Sequence, residues 1–160
     1  MKKILFLLLI LANHAQADTI VKYGSNVQSE SERLGSTKAI FLAYQEKVVG
    51  PIITQYEFGG WFDNTGIEGR KSSALLGISW GVHANAGYVF GQALVGPAAI
   101  SDTDINLGGH FQFNNDIAFG LRDPDTGGTV GFAYKHISSA GIFKPNKGRD
   151  FLMFRVSIPW

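Results

Sequence analysis

Three residues near the carboxyl end of the chain, His136, Ser138 and Asp150, have the types and order of a hydrolytic triad. A serine hydroxyl becomes a nucleophile when a neighbouring imidazole takes its proton, and a carboxylate orients that imidazole. Side chains alternate between the two faces of a strand, so His136 and Ser138 share a face if their segment is a strand. The spacing alone is also compatible with structural roles, because His83 and His110 occur in strand-like segments elsewhere.

The segments that carry these residues are predicted to be the last two strands, over residues 129–138 and 150–160. In each, the face that includes the polar residues is otherwise apolar. His136 and Ser138 share theirs with Val130, Phe132 and Tyr134, and Asp150 shares its face with Leu152, Phe154, Val156, Ile158 and Trp160. A soluble enzyme would not leave such a face open to water. Because polar groups on a lipid-facing surface are costly, the pattern favours an enzyme that acts on lipid.

Strand-like alternation, broken by Gly, Asn, Asp and Pro, extends over most of the chain. In the clearest case Leu76, Ile78 and Trp80 fall on one face and small or polar residues fall on the other. Eight strands are predicted, at roughly residues 19–25, 37–45, 52–62, 74–84, 87–95, 110–122, 129–138 and 150–160. The fold class is therefore all-β, and eight is the smallest size of an outer-membrane barrel.

Composition narrows the class of protein further. Lys2 and Lys3 precede an apolar run, and Ala15-Gln16-Ala17 has the form of a cleavage site, so residues 1–17 are predicted to be a secretory signal peptide and residues 18–160 the barrel domain. The net charge of +1 and the scattered basic residues argue against nucleic acid as a partner. The chain has no Cys and no metal-binding motif, so neither a cofactor nor a metal is expected.

Two arrangements of the barrel stay open from alternation alone. A soluble, lipid-binding barrel of the periplasm would turn its apolar face inward, and a transmembrane barrel would turn it outward. Small and polar residues on the second face, such as Gly77, Ser79, Gly81 and Arg122, suit a narrow lumen and favour an antiparallel transmembrane barrel. The alternating last strand with its terminal Trp160 resembles the signal read by the barrel-assembly machinery. Whether the barrel is a monomer or a homodimer is left open.

An even number of strands places both termini on the periplasmic side. His136 and Ser138 end an outward-running strand, and Asp150 begins the inward-running strand that follows. All three are therefore predicted to converge at the outer leaflet.

The stretch from His136 to Asp150 resembles the signature of the lipid A 3-O-deacylase family, PagL. In that family a His-x-Ser-Asn-x-Gly motif is followed by Pro-Asn and then by Glu, just before the last strand. Here the stretch reads His-Ile-Ser-Ser-Ala-Gly, then Pro-Asn, then Asp150. The segment 108–113, with Ile117 and Gly120, is similar to the preceding strand of the family. Two positions depart from the pattern: Ser139 replaces Asn, and Asp150 replaces Glu and is shorter by one C–C bond.

The resemblance implies an eight-stranded barrel in the bacterial outer membrane with a lipid-facing triad. It implies lipid A, within lipopolysaccharide, as substrate, and hydrolysis of the ester of its 3-O-linked 3-hydroxyacyl chain. Ser138 would be the nucleophile, His136 the base and Asp150 the acid. Candidates for binding the oxyanion, or for supporting that site, are Asn146, Ala140, Gly141 and Ser139. The alternative from another class is a non-catalytic small barrel, either adhesin-like or structural.

Overall fold

The computed structural model describes residues 17–27 and 37–160, and these residues form eight antiparallel strands that close into a barrel. The strands are β1 (Ala17–Asn26), β2 (Thr37–Val49), β3 (Ile52–Asp63), β4 (Ser73–Ala86), β5 (Val89–Ile100), β6 (Phe111–Arg122), β7 (Thr129–Ser138) and β8 (Arg149–Pro159). Each strand pairs with the next along the chain, and β1 pairs with β8 to close the barrel. The predicted fold class is confirmed. The predicted signal peptide lies outside the described residues except for Ala17, which begins β1.

Each strand is long enough to cross a bilayer. The shortest have 10 residues and the longest has 14, whereas a tilted transmembrane strand needs about 9–11. Among residues 17–27 and 37–160, no helix is long and apolar enough to span a membrane.

Most of the large apolar side chains point away from the barrel axis. Leu76 is 64% exposed and Phe119 is 64% exposed, whereas Leu75 and Ala118, their neighbours on the opposite face, are each 1% exposed. The lumen contains a smaller apolar cluster around Phe41, Trp61 and Phe151. It also contains buried charged and amide side chains, including Lys22, Gln55, Glu57, Gln112, Asp116, Lys135 and Arg155. This inverted distribution is that of a transmembrane barrel, and the alternative of a soluble barrel with an apolar interior is wrong.

The centre of the lumen holds a four-membered ionic cluster. Lys135 Nζ lies 2.9 Å from Glu57 Oε2 and 3.6 Å from Asp116 Oδ2. Lys22 Nζ lies 3.5 Å from the same Glu57 oxygen and donates a hydrogen bond to Asp116 Oδ2. Asn114 Oδ1 accepts a further hydrogen bond from Lys135 at 2.6 Å. Two ammonium groups and two carboxylates thus neutralise one another and join β1, β3, β6 and β7 across the lumen.

Removing one ammonium group from this cluster is expected to destabilise the barrel. In Lys22→Met two buried carboxylates would share the single charge of Lys135, and losing one partner of a buried ion pair costs about 3–5 kcal/mol. The free energy of unfolding, measured by urea titration of the barrel in lipid vesicles, should fall by that order. Lys38→Met, at an exposed lysine on β2, is the matched control and should change it little. Equal unfolding midpoints for the two variants would contradict a stabilising cluster.

Several strands are longer than predicted: β2 runs four residues past its predicted end, and β5 runs five residues past its own. The segment 87–95 was predicted to end before Gly96-Pro97, but β5 continues through both residues to Ile100. Pro97 has no N–H to donate, and the pairing of β4 with β5 is interrupted between the pairs Trp80–Val95 and Gly77–Ala98. The pairing with β6 continues through Pro97, opposite Phe113. A proline is therefore tolerated here because only one of its two neighbouring ladders needs to give way.

Both described termini lie at the same end of the barrel. Trp160 N donates to Ala17 O at 3.0 Å, and the Trp160 indole Nε1 donates to Thr19 Oγ1 at 3.0 Å. The β7–β8 connection therefore lies at the opposite end, together with the β3–β4 and β5–β6 connections.

Candidate active site

The register of β7 and β8 places His136 directly opposite Asp150, at the end of the barrel remote from the termini. The residues that alternate with them, Lys135, Ile137 and Phe151, have no exposed surface and fill the lumen. His136 and Asp150 therefore face outward, on the same side of the barrel wall as the lipid-facing side chains.

The His136 imidazole and the Asp150 carboxylate are in contact. His136 Nδ1 lies 2.6 Å from Asp150 Oδ1, and the two side chains keep 32% and 17% of their surface exposed. An ionised carboxylate has no proton to donate and acts only as a hydrogen-bond acceptor. The proton of a neutral imidazole therefore belongs on Nδ1 in this pair. His136 Nε2 is then an unprotonated base that faces away from the carboxylate.

Ser138 lies on the same outward face, two residues beyond His136. It stands opposite Phe113 of β6. Within the described residues its hydroxyl makes no hydrogen bond to the imidazole. Same-face neighbours along a strand are about 6.6 Å apart at the backbone, so the two side chains must rotate toward each other to meet. Such bonds are often long in unliganded enzymes and tighten only when substrate binds.

Tyr134 is a polar contact of the site that the sequence reasoning did not assign. Its hydroxyl donates a hydrogen bond to Asp150 Oδ1 at 2.6 Å, the same oxygen that contacts His136. Tyr134 is opposite Leu152 in the register, so Asp150 is its diagonal neighbour. Its shared face with His136 was visible in the sequence, but the reach of its hydroxyl to Asp150 was not.

The loop after β7 begins with a tight turn. Ala140 and Gly141 both have positive φ, at 51° and 83°, and Ile142 N donates to Ser139 O at 3.0 Å. Two consecutive positive φ values are the signature of a type I′ turn. Within the described residues the N–H groups of Ala140 and Gly141 donate to no protein acceptor, so both are unpaired donors in the loop that follows Ser138.

Asn146 and Ser139 hold this loop together. Asn146 Oδ1 accepts a hydrogen bond from Ser139 N at 2.7 Å. Because an N–H must meet an acceptor, this contact determines which end of the amide is oxygen and leaves Asn146 Nδ2 as a donor. Ser139 is fully buried, and its hydroxyl donates to Phe143 O at 3.0 Å. The Ser139 side chain therefore supports the loop and is directed away from the outward face.

The β5–β6 loop anchors the loop that carries Asn146. Gly108 N donates to Pro145 O at 2.7 Å, and Lys147 N donates to Asn106 O at 2.9 Å. A Cβ on Gly108 would lie 2.2 Å from the backbone carbonyl carbon of Lys144. This close approach explains why glycine is needed at a position far from the site in sequence.

A buried guanidinium fixes the start of β8. Arg149 precedes Asp150 and points into the lumen. Its guanidinium donates a hydrogen bond to Asp104 Oδ2 and lies 3.6 Å from Asp63 Oδ2. It also stacks over the Trp61 ring, 5.3 Å from the ring centroid. Arg70 lies in the β3–β4 loop. Its pKa is lowered mainly by burial and, to a smaller extent, by the nearby positive charge of Arg149. Arg149 thereby ties the strand that carries Asp150 to β3 and to the β5–β6 loop.

Replacing Gly148 by alanine is expected to displace the imidazole. A Cβ at Gly148 would lie 2.8 Å from His136 Cε1, and the residue has a φ of +74°. Misplacing a reacting group by about 1 Å can cost about 10²-fold in rate, so Gly148→Ala should lower the rate of the ester hydrolysis predicted from the sequence by that order. Gly66→Ala is the control, because Gly66 has a φ of +69° with no atom within 4 Å of a Cβ. An equal loss in both variants would show that backbone strain, not the imidazole contact, is responsible.

No three His, Asp or Glu side chains in the part of the chain that the structure describes lie close enough to share a metal ion. The chemistry that the site offers is that of a serine hydroxyl, an oriented imidazole and amide donors.

Comparisons with known proteins relate the chain to one family. A family model described as lipid A 3-O-deacylase (PagL) matches residues 38–159. No curated protein sequence matches the chain significantly.

Solved structures share the architecture. The crystal structure of the outer membrane enzyme PagL is similar with a TM-score of 0.67 and 23% sequence identity, over 89% of this chain and 99% of that one. Ail, the attachment invasion locus protein of Yersinia pestis, is similar with a TM-score of 0.56 and 9% identity, over 91% and 98%. Neisserial surface protein A is similar with a TM-score of 0.57 and 6% sequence identity, over 90% of this chain and 96% of that one. At these identities the likeness shows the fold alone.

Proposed function

We propose a reaction for this chain from one premise: it belongs to the lipid A 3-O-deacylase (PagL) family of outer-membrane β-barrels. The reaction is hydrolysis of the ester that joins a 3-hydroxyacyl chain to position 3 of lipid A, with Ser138 as the nucleophile. The observation that best supports it is the contact between His136 and Asp150 on the outward face of the barrel. A polar pair on a bilayer-facing surface is costly, and polar residues at such positions mark functional sites.

The location of the site suits a glycolipid substrate. The site lies at the barrel end remote from the termini, which is the outer-leaflet end if the termini are periplasmic. Below it, Tyr134, Phe132 and Leu152 continue the same outward face along β7 and β8 and are half-exposed. Acyl chains of lipid A would lie along these side chains, and the ester would lie at the level of Ser138.

The first half of the reaction forms an acyl-enzyme. Ser138 Oγ attacks the ester carbonyl carbon as His136 Nε2 takes its proton, and Asp150 stabilises the resulting imidazolium. The carbonyl oxygen becomes an oxyanion, for which Asn146 Nδ2 and the N–H groups of Ala140 and Gly141 are the proposed donors. Collapse of the tetrahedral intermediate breaks the bond to the sugar oxygen, which leaves as an alcohol with the proton from His136.

The second half releases the fatty acid. A water molecule attacks the acyl group on Ser138 while His136 takes a proton from that water. His136 then gives the proton to the serine oxygen as the fatty acid leaves. A general base of this kind contributes roughly 10²–10⁴-fold to the rate. Ser139 supports these steps only by holding the loop through Phe143. The outer-membrane barrel would reach its place through the barrel-assembly machinery, which would read β8 and Trp160, and it would act as a monomer or a homodimer.

The test is to express the full chain in a bacterium with unmodified lipid A and to analyse the lipid by mass spectrometry. The expected result is lipid A that lacks one 3-hydroxyacyl chain, together with the free 3-hydroxy fatty acid. Heat-modifiable mobility of the barrel on a gel verifies its insertion. Unchanged lipid A in cells that contain the inserted barrel would reject the reaction.

The rival function is a non-catalytic small barrel, either adhesin-like or structural. Ail and Neisserial surface protein A share the fold, so the barrel by itself does not decide between the two. The rival predicts no change in lipid A and gives no role to the contact between His136 and Asp150.

A further inference from the structure

Asp150 Oδ1 accepts two hydrogen bonds of equal length. One joins it to His136 Nδ1 at 2.6 Å, and the other comes from the Tyr134 hydroxyl at 2.6 Å. Both donors are on β7, two residues apart on its outward face, and the acceptor is on β8. The carboxylate is thus held between an imidazole and a phenol.

The apolar surroundings of Tyr134 favour this hydrogen bond. The side chain is 43% exposed on the outward face, where lipid offers a hydroxyl no partner. A tyrosine at such a place packs its ring against apolar neighbours and directs its hydroxyl to a polar group. Within the described residues, Asp150 is the partner that this hydroxyl has.

A single hydrogen bond leaves a carboxylate free to rotate about its χ2 torsion, which is broad for Asp. A second donor on the same oxygen restricts that rotation and keeps Oδ1 directed at the imidazole. Asp150 is one C–C bond, about 1.5 Å, shorter than a glutamate. Its oxygen therefore has a shorter reach and regains contact with His136 less easily once it is displaced. The Tyr134 hydroxyl supplies the missing constraint.

We propose that Tyr134 is a positioning residue that fixes the Asp150 carboxylate against His136 and thereby orients the general base. The inference rests on the proposed function for its effect on rate, but the hydrogen-bond geometry that it describes can be measured without any reaction.

The first experiment measures rates with purified protein and lipid A in detergent micelles. Tyr134→Phe removes only the hydroxyl and should lower kcat by at least about tenfold, because a hydrogen bond to a charged group is worth that much or more, with KM nearly unchanged. In an Asp150→Ala background the same change should cost nothing further, because the acceptor is gone. Tyr44→Phe is the matched control: Tyr44 also faces outward and is 41% exposed, and it lies on β2, far from the site.

The second experiment needs no activity. The proton on His136 Nδ1, bonded to a carboxylate, is expected to give a low-field resonance in the NMR spectrum of the barrel in micelles. In Tyr134→Phe the resonance should broaden or shift as the carboxylate gains freedom, and in Tyr44→Phe it should not move.

Three outcomes would overturn the proposal: an unchanged kcat in Tyr134→Phe, a rise in KM alone, or an equal loss in the Asp150→Ala background. The second of these would make Tyr134 a substrate contact. If the wild-type protein leaves lipid A unchanged, the proposed function fails, and the resonance alone then decides whether Tyr134 positions Asp150.

Discussion

Ser138→Ala is expected to lower the rate of lipid A deacylation by at least about 10⁴-fold, since removal of a serine nucleophile leaves only the oxyanion donors and substrate binding. The barrel should fold normally, because within the described residues the Ser138 side chain makes no hydrogen bond that the fold depends on. The rate is measured by mass spectrometry of released 3-hydroxy fatty acid from lipid A in micelles. Binding of lipid A should change little.

The control for this variant is Ser72→Ala, which removes an exposed hydroxyl from the β3–β4 loop at the same barrel end. That hydroxyl accepts a hydrogen bond from Asp63 N at 3.0 Å and lies outside the proposed machinery. It should leave the rate within about twofold, as surface substitutions usually do. A Ser138→Ala protein that deacylates at the wild-type rate would show that another group is the nucleophile.

Asp150→Asn is expected to lower the rate about 10³–10⁴-fold, the effect seen when the acid of a serine triad becomes an amide. An amide cannot stabilise the imidazolium by charge, and its NH₂ group can bind Nδ1 and so select the imidazole tautomer with the proton on Nε2. That tautomer cannot accept the proton of Ser138. Asp150→Glu should keep substantial activity, because it restores the acid that the family motif contains.

The matched control is Asp125→Asn, at an exposed carboxylate in the β6–β7 turn at the opposite end of the barrel. It loses the same charge and should deacylate like the wild type. An Asp150→Asn protein that deacylates at the wild-type rate would exclude Asp150 as the acid of the triad.

Much of the fold follows from local patterns. A strand exposes alternate side chains to opposite faces, so the sequence of residues 74–84 alone shows which side chains share a surface. The extension of β5 through Pro97 was not predictable, because the missing N–H of a proline disturbs only the ladder on the side to which that N–H would point. That depends on which strands pair with it, and pairing is a property of the closed sheet.

The residues of the site also fall into two groups, those that local patterns indicated and those that only the fold revealed. Equal spacing along β7 placed Tyr134, His136 and Ser138 on one face, and the apolar residues around them indicated that this face meets lipid. Resemblance of the following loop to a family motif pointed to Asn146. Gly108 and Arg149 were missed, because their contacts with the loop and with β3 join segments that are distant in the chain.

The sequence by itself determined an eight-stranded barrel and the sets of side chains that share each of its two faces, because alternation along a strand is a local consequence of backbone geometry. Only the tertiary structure decided that Asp150 stands opposite His136 and that Tyr134 bonds the same carboxylate oxygen. It also decided that, within the described residues, the Ser138 hydroxyl has no hydrogen-bond partner. These contacts depend on the register between strands and on side-chain rotation, and neither is contained in the spacing of residues along one strand.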